Sequence, residues 1–142
     1  MTVRRVDQGM AAAAARALPD EVDRELRTRY RQLRAMLHTA GLAATYAFIA
    51  SKARDADEDG TGNGQGKLAT AYRDAAAGIR ARLSDLSLSP GDVRQMSVRD
   101  FMAELGGMDP VQYARAGAEA SAFVGWLSRL ADAAWQERDE RD

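Results

Sequence analysis

The sequence predicts an all-α fold, a compact bundle of four to six helices in a single domain spanning residues 1–142. Three observations carry that expectation. Apolar residues recur at spacings of three and four from Val22 to Ala40, and again from Tyr113 to Ala134. The three prolines all fall in the joints between such stretches. No run alternates with the two-residue period of a half-buried strand.

Taken in order, Thr2 is placed to cap a first helix from Val3 to about Leu18, alanine-rich and weakly amphipathic. Leu18-Pro19-Asp20 punctuates it, and Pro19 with Asp20, Glu21 and Asp23 suits the start of a second helix. That helix runs to about Ala40, with Val22, Leu26, Tyr30, Leu33, Leu37 and Ala40 on one stripe, and Gly41 stops it. The stretch from Gly41 to Arg54, GLAATYAFIASKAR, carries no charge through Ala50 and is apolar around nearly its whole circumference. Such a helix is expected to be enclosed by others, a central peg whose basic end emerges at the surface.

Asp55 to Gly66 is acidic and glycine-rich, without one large apolar residue, and reads as a flexible loop. Asp55, Asp57, Asp59 and Gly60 match the start of a calcium loop, but Gly66 stands where the bidentate glutamate belongs, so linker is the better reading. Lys67 to about Leu86 is a further helix with Leu68, Ala71, Tyr72, Ala75, Ile79 and Leu83 inward. LSLSPGD, residues 86–92, is a turn segment. Ser97 caps a short helix from Val98 to Leu105, ended by Gly106-Gly107. Asp109-Pro110 opens the last long helix, whose charged end, Gln136 to Asp142, is expected to fray.

Catalysis finds little support in these residues. Without cysteine there is no disulfide, thiolate metal site or thiol nucleophile, and His38 is the only histidine. Phosphate-loop, zinc-protease and nucleophile-elbow motifs are missing, as are the Glu-x-x-His pairs of di-iron bundles. Glu104 and Asp109 straddle a helix end as ordinary terminal charges. The expectation is a protein that is not an enzyme, with no cofactor, metal or small-molecule substrate. Arg16 and Asp20 interrupt the N-terminal alanine run, so it makes no signal peptide, and no segment suits a bilayer; a soluble, cytoplasmic protein is expected.

Charge is unevenly distributed. Residues 1–54 hold ten Arg/Lys and five Asp/Glu, a net +5, whereas residues 55–142 hold ten and sixteen, a net −6, which together give the −1 of the chain. Within the basic half, Arg24, Arg27, Arg31, Arg34 and His38 recur at three, four, three and four. They share one helix face, roughly 100° round from the apolar stripe. Guanidiniums rising about 5 Å per step track an extended nucleic-acid backbone. Lys52 and Arg54, at the exit of the next helix, are placed to extend the surface. The competing reading is a solvated face, and His38 is structural or RNA-facing on either. Trp126 lies off the main apolar seam of the last helix and reads as a partner contact, Trp135 as core or contact.

Two blocks also resemble a known family. GLAATYAFIASKA, Gly41 to Ala53, is similar to a signature of the small subunit of the Cmr complex, the type III-B CRISPR effector. YARAGAEASAFVGWLSRLADA, Tyr113 to Ala133, resembles that family's C-terminal helix, with WLSRLADA its most specific part. The blocks come in the family's order, with an acidic loop between them. One departure is the absence of a Leu-Pro pair shortly before Gly41, where Arg34-Ala35-Met36-Leu37 stands. The resemblance implies a non-catalytic helical subunit that stacks along the assembly in antiviral defence. Its implied partners are the large subunit, the backbone subunit, further copies of itself and the crRNA–target RNA duplex, whose groove it helps to line. The alternative is a helical protein–protein adaptor or homo-oligomer without nucleic acid.

Overall fold

The computed structural model describes residues 6–53, 64–85 and 93–141. The described residues form six helices: α1 (Val6–Ala17), α2 (Arg24–Ala40), α3 (Leu42–Ala53), α4 (Gly64–Asp85), α5 (Val98–Gly107) and α6 (Pro110–Arg141). No strand occurs among the described residues, and the fold is all-α. The six helices share one apolar core.

Helix ends follow side-chain chemistry, with some shifts from the expected boundaries. Pro19 does not open α2. Asp23 does, because its carboxylate accepts from the Leu26 N–H at 2.8 Å and satisfies an orphan donor that Pro19 has no means to reach. Val22 is outside the helix yet buried, so the apolar stripe begins on the lead-in. Gly41 ends α2 at φ 91°, and its N–H donates to the Leu37 carbonyl at 3.2 Å. The next helix starts one residue later. With glycine before it, α3 lacks a side-chain cap of its own, and the Tyr113 hydroxyl of α6 accepts from the Ala43 N–H at 3.0 Å instead.

The expectation that α3 is enclosed all round needs correction. Leu42, Thr45, Tyr46 and Ile49 are buried against α2, α4, α5 and α6, but Ala44 and Ala47 are exposed. Alanine gains little from burial, so an alanine-rich circumference does not require neighbours on every side. The spine of the bundle is α6, which lies along both α1 and α2 and also packs on α4. Phe123, Val124, Leu127 and Ala131 of α6 are fully buried.

Other boundaries move as well. Gly64, Gln65 and Gly66 belong to α4 rather than to the preceding loop. The rest of that loop, with its calcium-like spacing and Arg54, and the turn at 86–92 lie outside the described residues. Gly106 and Gly107 are the last two residues of α5, two beyond the expected Leu105, and the helix closes where the Met108 N–H meets the Leu105 carbonyl. Ser97 and Asp109 cap α5 and α6 as expected, accepting from the N–H groups of Asp100 and Gln112 at 3.1 and 2.9 Å. The charged C-terminal end, expected to fray from Gln136, continues as helix to Arg141.

Candidate nucleic-acid interface

Arg24, Arg27, Arg31 and Arg34 of α2 share a flank, and α6 runs beside it. Arg27 Nε donates to Asp132 Oδ1 of α6 at 2.9 Å, and its guanidinium lies 5.2 Å from the centre of the Trp135 ring. Arg31 Nη2 donates to the same oxygen, also at 2.9 Å. The two arginines are not equally committed: the Arg27 side chain is 19% exposed and that of Arg31 57%. Arg34 is exposed and lies along the α6 backbone, its Nε 3.9 Å from where a β-carbon on Gly125 would stand. Arg24 and His38 are exposed at the two ends of the helix. Asp132 is the carboxylate that Arg27 and Arg31 share, and Arg24, Arg31 and Arg34 of the row are exposed. At 1.5 Å per residue the row from Arg24 to Arg34 is about 15 Å long, a span of two to three phosphates.

Lys52 is elsewhere. Its ammonium lies 5.6 Å over the Phe48 ring, and Phe48 packs edge-on against Tyr72 of α4. Arg29 lies close enough to the Tyr72 hydroxyl to act on its titration, and it pairs with Glu25 at 3.4 Å. Arg29 projects from α2 about 160° away from Arg27 in the helical wheel, on the other side of the buried stripe. Lys52 and the arginine row therefore flank α2 on opposite sides. Burial raises the Tyr72 pKa, and Arg29 works against that rise.

Trp126 is half-buried against the core, with the Arg129 guanidinium 5.7 Å from its ring centre. Trp135 is nine residues on, half a turn round α6, and faces α2 through Arg27. The two tryptophans thus serve different sides of the spine helix.

Two residues that sequence reasoning passed over organise the charged surface. Asp132 is the sole carboxylate between Glu119 and Glu137, a signal visible in the sequence, but its partners depend on how α2 docks. Arg80 of α4 donates to the Tyr46 hydroxyl and to the carbonyls of Val93 and Met96, and lies over the Tyr46 and Phe101 rings at 5.3 and 4.9 Å. It fastens the segment entering α5 to the α3–α4 pair. Among the described residues no group of three or more potential metal ligands comes together, and no helix is long and apolar enough to cross a membrane.

Neither a curated protein nor a solved structure matches the chain. A family model does, that of the CRISPR-associated protein Cas_Cmr5, over residues 3–134. That match takes in both resembling blocks and all six helices except the end of α6, and the chain accordingly belongs to the Cas_Cmr5 family of CRISPR-associated proteins.

Proposed function

We propose that the chain is a non-catalytic structural subunit of a type III-B CRISPR ribonucleoprotein effector. It stacks along the assembly beside the large subunit, the backbone subunit and further copies of itself, in the cytoplasm, as part of antiviral defence. The observation that carries this reading is the family match over residues 3–134. The α2–α6 flank turns toward the crRNA–target RNA duplex. The exposed Arg24, Arg31 and Arg34 support that orientation, since guanidiniums on one helix face suit a phosphate backbone. Arg24, Arg31 and Arg34 make the phosphate contacts and Arg27 holds Asp132 in place. Lys52 serves a separate contact off the row, Arg54 is a further RNA contact, and Trp126 serves a protein interface.

Purification of the tagged chain from its native host tests this, with mass spectrometry of co-purified proteins and sizing of bound RNA. Large partners with RNA of discrete length are expected. Within the assembled complex, Arg24→Glu, Arg31→Glu and Arg34→Glu together should reduce retention of target RNA and flatten its salt dependence. Unchanged retention removes the row from the interface.

The adaptor reading draws its support from Arg27 and Arg31, which are held by Asp132 and so belong partly to internal packing. Salt-independent self-association lost on Trp126→Ala, with no RNA recovered, would establish it instead.

A further inference from the structure

We infer that the groove bounded by α3, α4 and the start of α5 is a docking site for an acidic helix of a protein partner that carries an apolar stripe. The groove encloses about 600 Å³, and no residue of α2 or α6 lines it. It therefore stands apart from the arginine row and from the RNA-facing reading. Five alanines, Ala53 and Ala77 among them, form much of its wall, and small methyl surfaces let another backbone approach closely. Val98 at its edge is 44% exposed, one of two large hydrophobic side chains left this open among the described residues.

Charge defines the occupant. Arg73, Arg80 and Arg94 line the groove, and among the described residues no carboxylate does. Arg80 is held rigidly by two carbonyls, the Tyr46 hydroxyl and two rings, so its positive charge needs no reorganisation when an anion arrives. Arg94 is braced by Asp85 of α4. A partner carboxylate meets charge-assisted donors here, while its apolar side chains meet the alanine methyls.

A single-stranded nucleic acid fits the same groove poorly. Such ligands draw affinity from bases stacked on open ring faces. The one aromatic residue lining the groove among the described residues, Tyr46, is 2% exposed, with Arg80 over its ring and Phe101 packed edge-on at 4.6 Å. Carbon surface without an open ring favours a peptide over RNA.

The test is fluorescence anisotropy on the full chain. The probe is a labelled amphipathic peptide about four turns long, with a leucine stripe flanked by glutamates. The peptide should bind, and its glutamine counterpart should bind about tenfold more weakly. Arg73→Glu with Arg94→Glu should weaken binding by about tenfold or more. Ala77 is exposed, so Ala77→Trp fills the groove without touching the core and should weaken binding by about the same factor, with circular dichroism unchanged. Absence of peptide binding, or indifference to Ala77→Trp, overturns the inference. So does displacement of the peptide by oligouridine at low salt, which assigns the groove to RNA. A roughly tenfold gain in affinity when Asp55, Asp57, Glu58 and Asp59 are replaced by their amides overturns it too, in favour of the chain's own acidic stretch. Loss of peptide binding with RNA affinity intact separates this inference from the RNA-facing reading.

Discussion

Asp132 Oδ1 accepts from Arg27 Nε and from Arg31 Nη2, each at 2.9 Å, and this shared oxygen ties α2 to α6 on the arginine-bearing flank. All three side chains keep some exposure to water, so screening limits each pair to about 1 kcal/mol or less. Asp132→Asn should lower stability by about 1 kcal/mol in urea unfolding, and the loss should shrink when Arg27→Met is already present. The same change releases two guanidiniums. If the flank meets RNA, affinity for a short RNA should rise about threefold at low salt, with a steeper dependence on salt. A stability loss with no change in RNA affinity would locate the pair in packing alone.

Gly78 of α4 faces Phe123 of α6 more closely than any side chain allows. A β-carbon there would stand 2.2 Å from Phe123 Cζ and 2.8 Å from Cε1, and that ring is fully buried. Gly78→Ala should therefore cost about 1–3 kcal/mol by overpacking, despite alanine's better helix propensity. Gly117, in α6 with open space around it, is the control: Gly117→Ala should gain up to about 1 kcal/mol. Thermal midpoints moving in opposite directions would confirm the close approach.

Tyr113 replaces the cap that Gly41 has no side chain to provide. Removing its hydroxyl leaves the Ala43 N–H without that acceptor, so Tyr113→Phe should cost about 1 kcal/mol. Hydrogen exchange should quicken at the start of α3 more than at its middle. Uniform exchange changes along α3 would show that the hydroxyl does not act as a cap.

Tyr30 is 2% exposed, and its hydroxyl has no hydrogen-bond partner among the described residues. Burial first, and the nearby Asp74 second, push its pKa up. Tyr46 and Tyr72 are also raised, chiefly by burial. A tyrosine whose pKa is raised in the folded state favours folding fully below its unfolded value of about 10 and loses that contribution above it. Stability should accordingly fall above about pH 10. Tyr30→Phe should be nearly neutral at pH 7, because no hydrogen bond is lost, and should reduce the alkaline fall. Urea midpoints at neutral and alkaline pH measure both effects.

Much of the helical skeleton is legible in the residues themselves, because caps and stripes are local. Asp109-Pro110 and Ser97 announce their helices through orphan N–H groups only a few bonds away. Leu26, Tyr30, Leu33 and Leu37 share a face at 3.6 residues per turn whatever they pack against, and they are buried. The family is legible for the same reason, since its two blocks are contiguous runs. Competing local signals misplace boundaries: Pro19 and Asp20 look like a helix start, yet Asp23 has the geometry to reach Leu26.

What the sequence alone determines is thus the helical class, the order of the elements and the arginine row on one flank of α2. Tertiary structure decides what that row faces. The rotation of α6 about its own axis brings Asp132 to Arg27 and Arg31, sends Trp135 toward α2 and Trp126 to the other side. It also sets α6 rather than α3 as the spine, because Gly78 admits Phe123 at a distance no side chain would permit. Residues about a hundred positions apart meet only when apolar faces choose their partners, and that choice rests on the shape of the whole core.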